Sequence, residues 1–65
     1  MGDIREYIAQ YQNLVEYFII QNNITGEEFK VYSEDAEFIR PDILDREVEY
    51  CQKGWRNEYC ILYFV

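Results

Sequence analysis

The stretch Asn57-Glu58-Tyr59-Cys60-Ile61-Leu62-Tyr63-Phe64-Val65 ends in seven consecutive apolar or aromatic residues, 59–65. Side chains of these types favour the pleated, buried surface of a β-sheet. A run this short and this apolar predicts a strand that is covered on both faces. Left exposed, it would be a template for aggregation. The rest of the chain must therefore supply its cover.

The length and the composition predict one small globular domain, residues 1–65. A chain of this size buries only about 60% of its unfolded surface, which leaves its stability marginal. Seven tyrosines, four phenylalanines and one tryptophan partly offset the small size, because each large ring buries about 150–250 Å². An apolar share of 49% favours a folded domain over a disordered chain.

The N-terminal part of the chain shows the apolar stripe of an amphipathic helix. Apolar residues recur there at three- and four-residue steps: Ile4, Tyr7, Ile8, Tyr11, Leu14, Val15 and Phe18. Asp3, followed three residues later by Glu6, fits a capping box at the start. Asn22 and Gly26 supply the end and the exit turn. The pattern predicts a helix over residues 3–21.

Two strand-like segments follow the predicted helix. Residues 28–32 and 37–40 have the composition of strands and flank the polar segment 33–36. This arrangement predicts a β-hairpin. Pro41 is expected to end the second strand or to confine it to a sheet edge.

Residues 42–53 fit two interpretations. As a strand, residues 47–50 alternate polar and apolar side chains. As a helix, the segment has Pro41 at its start and Gly54 just after its end, both of which are typical helix boundaries. We favour the strand, because a hairpin through residues 53–57 then gives the final strand a paired neighbour.

The predicted fold is therefore α+β, with one N-terminal amphipathic helix packed on a three- or four-stranded antiparallel sheet. The sheet has four strands if residues 42–53 form a strand. It has three if that segment is helical.

The two cysteines fit two interpretations, a disulfide and a pair of free thiols. A hairpin centred between Trp55 and Arg56 places Cys51 opposite Cys60, within disulfide reach. Two free buried thiols are the alternative, and a reducing compartment favours it.

The sequence Met1-Gly2-Asp3-Ile4-Arg5 lacks the pattern of a signal peptide. No apolar run approaches the roughly 20 residues that span a bilayer, so we expect a cytoplasmic protein.

Residue types needed for catalysis are scarce. The chain has no histidine, one serine (Ser33) and one threonine (Thr25), so an activated hydroxyl nucleophile is not expected. Acidic residues surround the cysteines, which disfavours a reactive thiolate. Neither a CxxC pair nor an EF-hand spacing is present. We therefore expect no enzyme activity, no cofactor and no metal.

The charge is concentrated in one segment, residues 27–49. The chain carries 13 acids and 6 bases, for a net charge of −7. Nine acids against three bases give this segment 3 − 9 = −6. We take its acids as the candidate partner-binding residues: Glu27, Glu28, Glu34, Asp35, Glu37, Asp42, Asp45, Glu47 and Glu49. Such a balance disfavours direct binding to nucleic acid or to anionic membranes, and it suits a basic protein surface.

Acids at regular steps could imitate nucleic acid. On a regular strand, Glu47 and Glu49 would project to one side about 6.7 Å apart. DNA spaces its phosphates by about 3.4 Å of axis per strand. An acidic surface of this kind would fit a groove built for nucleic acid. Ordinary solubility charge is the alternative, since a net charge of about 2–8 is normal for a small domain.

In size, acidity and lack of catalytic residues, the chain resembles small proteins of phages and mobile elements, including anti-CRISPR and anti-restriction proteins. Some of these mimic DNA. The resemblance is one of composition and carries over no residue. It implies a non-enzymatic inhibitor that blocks a basic, nucleic-acid-binding protein surface. The alternative function is a small structural or assembly protein that self-associates through aromatic surface, as a homodimer. If the acids serve only solubility, Trp55 and Tyr59 are the expected anchors of the partner contact.

Overall fold

The apolar stretch near the C-terminus forms an inner strand of a four-stranded sheet in the computed structural model, which describes residues 2–54, 56 and 58–65. The helical elements are α1 (Ile4–Tyr11), a 3₁₀ helix (Ser33–Phe38) and the short α2 (Pro41–Leu44). The strands are β1 (Tyr17–Asn22), β2 (Glu28–Tyr32), β3 (Val48–Lys53) and β4 (Tyr59–Phe64). Their order across the sheet is β2-β1-β4-β3.

The fold is α+β with a helix near the N-terminus, as predicted, but the sheet is mixed rather than antiparallel. β1 pairs with β2 and β3 with β4 as antiparallel hairpins, whereas the inner strands β1 and β4 run parallel. Because parallel pairing requires a crossover, the chain between β2 and β3 must pass along the sheet. This crossover carries the 3₁₀ helix and α2, and it covers one face.

The predicted helix over residues 3–21 is wrong beyond Tyr11. The Asp3 cap is confirmed, since its carboxylate accepts a hydrogen bond from the backbone N–H of Glu6 at 2.9 Å. The chain turns after α1 and then enters β1 at Tyr17. β1 begins with aromatic and β-branched residues that favour strands, and its pairing on both sides outweighs the helical spacing.

The predicted hairpin over residues 28–40 is also wrong in its second half. β2 is a strand, but its partner is β1, reached through a turn that ends at Gly26, where φ is 81°. The Asn22 side chain stabilises this turn by accepting from the backbone N–H of Ile24 at 2.8 Å. Residues 33–38 form the 3₁₀ helix instead of a loop and strand, and Pro41 begins α2 rather than ending a strand.

Both interpretations of residues 42–53 are partly right. α2 occupies the start of this segment and β3 the end. The hairpin register differs from the prediction, because Cys51 pairs with Leu62, and Lys53 pairs with Cys60. A register shift at the start of β3 bends the strand there. Trp55, at the predicted centre of this hairpin, lies outside the described residues.

The core lies between one face of the sheet and the helical segments. It contains Ile4, Ile8, Val15, Phe18, Ile20, Ala36, Ile39, Val48, Cys60, Leu62 and Phe64. β4 alternates strictly between buried and half-buried residues, so the prediction of full cover on both faces is wrong. The described helical segments all pack on the first face. The second face leaves its side chains half-buried or exposed.

Candidate partner-binding surface

All nine acids of residues 27–49 are exposed. Two lie at the start of β2 and three on the 3₁₀ helix. Two more lie on or just after α2, and the last two flank the start of β3. The acids therefore follow the β2 edge and the crossover. They do not gather on one strand.

Few of these acids are neutralised within the described part of the chain. Arg5 forms an ion pair with Asp45, and Arg40 forms one with Asp42 at 2.8 Å between Nη2 and Oδ2. Glu49 accepts a hydrogen bond from the Asn23 side chain at 3.0 Å. The remaining six have no ion pair among the described residues: Glu27, Glu28, Glu34, Asp35, Glu37 and Glu47. Their mutual repulsion opposes folding.

The regular spacing expected for Glu47 and Glu49 is not maintained. Glu47 precedes β3 and forms an isolated bridge with Asp3. The register shift between Val48 and Tyr50 falls at Glu49. Because a bulge of this kind interrupts the two-residue alternation of a strand, the spacing of about 6.7 Å derived for a regular strand does not apply.

An apolar groove opens between β2 and the crossover. Its volume is about 460 Å³. We call it the β2 groove, and its lining residues are Phe29, Val31, Asp35, Phe38, Ile39, Arg40 and Ile43. It forms because β2 is an edge strand whose Phe29 and Val31 face the crossover, and the crossover covers them only in part. Phe38 is 77% exposed and Phe29 is 41% exposed, so large apolar surface remains in contact with water.

A second cavity of about 310 Å³ extends the groove, because Phe29 and Ile43 line both. Glu27 and Glu28 lie along it, together with Arg46. Both arginines of the groove are engaged within the chain. Arg40 pairs with Asp42, and Arg46 donates to the backbone oxygen of Val65 at 2.9 Å. The groove therefore combines an apolar floor with acids that have no ion pair in the described structure.

The open side of the sheet is rich in tyrosine. We call it the tyrosine face, and by strand register it contains Tyr17, Ile19, Gln21, Glu28, Lys30, Tyr32, Tyr50, Gln52, Tyr59, Ile61 and Tyr63. The Tyr17 ring stacks on Tyr59 at 5.4 Å between centroids, and Tyr50 meets Tyr63 at 5.5 Å. Lys30 Nζ lies 4.2 Å from the Tyr17 ring centroid. A hydrogen bond to Tyr32 raises the pKa of Lys30 above its ordinary value.

The two thiols are in contact but not bonded. The sulfurs of Cys51 and Cys60 are 3.1 Å apart, on the covered face. Burial, with a smaller contribution from the Cys51 hydrogen bond, raises the pKa of Cys60 to about 12. Cys60 is therefore a neutral thiol at physiological pH, a form that is neither a nucleophile nor a metal ligand.

The two hydroxyl residues singled out by the sequence serve the backbone. Ser33 donates to the Val15 carbonyl at 2.7 Å, and Thr25 accepts from the Glu27 N–H at 3.3 Å.

Among residues 2–54, 56 and 58–65, no group of three or more acids or cysteines is arranged to hold a metal. No helix in the same residues is long and apolar enough to cross a membrane.

No protein-family model, curated protein or solved structure matches this chain. Asp35 lines the β2 groove, and Glu27 and Glu28 line the cavity that extends it, whereas Glu47 and Glu49 lie elsewhere, at the start of β3. The groove itself was missed from sequence. Its signal was the pair of phenylalanines flanking the acids, which the hairpin prediction assigned to two strands.

Proposed function

We propose that the protein is a non-enzymatic binding module that occupies a basic surface of another protein and blocks it. The observation that carries the proposal is the β2 groove, where exposed apolar side chains and acids without ion pairs occur together. The partner is a nucleic-acid-binding protein, and the module acts in the cytoplasm without contacting nucleic acid or membrane itself. This is the action of anti-CRISPR and anti-restriction proteins, which the chain resembles in composition.

Electrostatics supports a basic partner. Six of the acids on residues 27–49 have no ion pair in the described structure, so a basic surface would relieve their repulsion as well as attract them. Complementary charge speeds association and selects partners. Proteins that hold nucleic acid present Lys and Arg in extended arrays, and an acidic edge that follows β2 and the crossover suits such an array.

The apolar floor of the groove supports a specific contact. Charge at an exposed rim contributes little affinity by itself. Large apolar side chains that become buried contribute more, and about 25 cal/mol is gained per Å² of apolar surface removed from water. Phe29 and Phe38 are the exposed aromatic residues of the groove. They would anchor a partner segment that carries both apolar and basic side chains.

Matched charge reversals test the proposal. The groove variant changes Glu27 and Asp35 to Lys, and the control changes Glu6 and Glu58 to Lys. All four residues are exposed. Each set moves the net charge from −7 to −7 + 4 = −3, so overall charge is held equal. Both variants and the parent are immobilised at low salt, exposed to lysate of the organism that makes the protein, and their retained proteins identified by mass spectrometry.

We expect the parent and the control to retain the same basic protein and the groove variant to lose it. Retention should fall steeply as salt is raised, because exposed charges are screened. Equal retention by both variants would mean that the acids only confer solubility. Thermal unfolding of both variants guards against misfolding as the cause of lost binding.

A second candidate function, a small assembly protein that self-associates, is favoured by the tyrosine face. Its aromatic and aliphatic side chains are only half-buried. Salt separates the two candidates, since contact through aromatic side chains should not weaken as ionic strength rises.

A further inference from the structure

The tyrosine face carries little of the chain's net charge of −7. Among its charged members in the described strands, Glu28 and Lys30 on β2 cancel each other. Glu49, at the bulge of β3 between Val48 and Tyr50, adds one negative charge to this side. The other members are aromatic, aliphatic or amide side chains. Most of the net charge therefore lies on the rest of the surface.

This face is also the largest apolar surface that the sheet leaves open. Tyr17, Ile19, Ile61 and Tyr63 are half-buried by their neighbours, and Tyr50 is 58% exposed. Monomeric proteins rarely expose apolar patches larger than a few hundred Å², and larger ones mark contact sites. The face is therefore a candidate contact site, and its small net charge favours an apolar occupant.

We propose that a second copy of this chain covers the tyrosine face, giving a two-fold symmetric dimer in which the two sheets stack. Stacked sheets lie about 10 Å apart with their strands aligned to within about 30°. Tyr17, Ile19 and Ile61 of each copy lie at the centre of the contact. The helical layers of both copies point outward, and the β2 groove of each stays open. The dimer does not depend on the binding function proposed above.

Charge favours a second copy over other occupants. Two copies together carry 2 × (−7) = −14, so contact between them is favoured where acids are few, as on the tyrosine face. A basic protein would be attracted to the acids, most of which lie off this face. Lys30 is the single cation among the described members of the face, and one cation is too few to displace the counterions of a nucleic acid.

The available area fits a weak dimer. Six residues at about 3.3 Å and four strands at about 4.8 Å give a face of about 20 × 19 Å, or about 380 Å² in projection for each copy. Both copies together, with the relief of the side chains, approach the roughly 1,000 Å² at which specific interfaces begin. We expect a dissociation constant on the order of 10 µM.

Sedimentation equilibrium from about 1 µM to about 1 mM brackets this affinity. The parent mass should rise from 8.0 kDa toward twice that value. Ile19→Glu places two new charges at the centre of the dimer, and we expect dissociation to become at least about 100-fold easier. Leu14→Glu is the matched control, because Leu14 is 62% exposed on the turn after α1 and the charge change is the same.

Tyr50→Ser keeps the proposal testable if Ile19→Glu does not fold. Tyr50 is exposed, so truncation should leave the fold intact and weaken the dimer about 10-fold. Raising the salt should strengthen association of the parent, because it screens the repulsion between the two copies. A parent that remains at 8.0 kDa throughout would overturn the proposal. So would a folded Ile19→Glu or Tyr50→Ser variant that dimerises like the parent, or a Leu14→Glu variant that does not.

Discussion

The two faces of the sheet are formed by alternate residues of the same strands, and they differ in how deeply those residues are buried. On the covered face, Phe18, Ile20 and Leu62 are completely buried. On the open face, their chain neighbours Ile19 and Ile61 are only half-buried. A strand exposed to water on one side would normally alternate apolar with polar residues. The near-continuous apolar sequence of β1 and β4 fits the proposal that a second molecule covers the open face.

The charges divide the molecule in a related way. The helical layer and the crossover carry exposed acids with few ion pairs in the described structure, whereas the tyrosine face carries little net charge. The difference suggests two contacts with different chemistry, a salt-sensitive one along the β2 groove and a salt-tolerant one on the tyrosine face.

Truncating two adjacent residues of β4, one on each face, should give the largest difference in stability between the faces. Leu62→Ala removes a fully buried side chain and should cost about 2–5 kcal/mol of unfolding free energy. Ile61→Ala removes the same number of carbons from the open face and should cost less, about 1–2 kcal/mol, because its site is already partly hydrated. Urea denaturation at low micromolar concentration, where the monomer prevails, measures both.

Equal losses in these two variants would mean that the open face contributes as much packing as the covered one. An Ile61→Ala loss that appears only at high protein concentration would instead sharpen the comparison. It would assign the packing of this side chain to the dimer.

The cysteines offer a chemical contrast within the covered face. Because the pKa of Cys60 is raised to about 12, its thiolate fraction at pH 8 is about 1,000-fold below that of an ordinary thiol with a pKa of 9.0. Cys51 is half-exposed while Cys60 is fully buried. We expect iodoacetamide to label Cys51 first, with Cys60 modified only at the rate of unfolding. Mass spectrometry of a time course resolves the two sites.

The same shift gives a pH dependence. The folded state holds the Cys60 proton more tightly than the unfolded state, so its contribution to stability is complete below pH 9 and is lost as the pH rises toward 12. Cys60→Ala should remove that part of the alkaline decline, which other groups share. Rapid labelling of Cys60 in the folded protein at pH 8 would contradict this account.

The smallest expected effect concerns the start of the helical layer. Asp3→Ala removes the cap of α1 and should cost about 1 kcal/mol. Asp3→Asn keeps a capping side chain and is the matched control. The backbone of Ile4 also donates to the Arg46 carbonyl at 2.9 Å, which ties α1 to the end of the crossover. Thermal unfolding monitored by circular dichroism measures the loss, and an Asp3→Ala variant as stable as the parent would show that this tie suffices alone.

The sequence was informative wherever structure is local. The cap at Asp3, the strand character of residues 28–32 and 59–64, and the exposure of the acids all follow from neighbouring residues. The helix prediction extended too far because the spacing Tyr11, Leu14, Val15 and Phe18 fits a helix while β1 is decided by its sheet partners. Local patterns contain no information about such partners.

The parallel pairing of β1 with β4 was the main feature that could not be predicted from the sequence. It joins residues such as Phe18 and Cys60 that are far apart in the chain, and it forces the crossover that the predicted meander lacked. The β2 groove follows from that crossover, so it could not be predicted either. The acidic residues were found from composition alone, but their relation to an apolar site required the fold.

Competition with nucleic acid tests the central claim most directly. The captured partner, loaded with labelled DNA or RNA, is titrated at low salt with the parent, with the Glu27 and Asp35 reversal, and with the Glu6 and Glu58 control. We predict that the parent and the control displace the nucleic acid and that the groove variant does not. A ternary complex in which the partner holds both the parent protein and the nucleic acid would contradict the account.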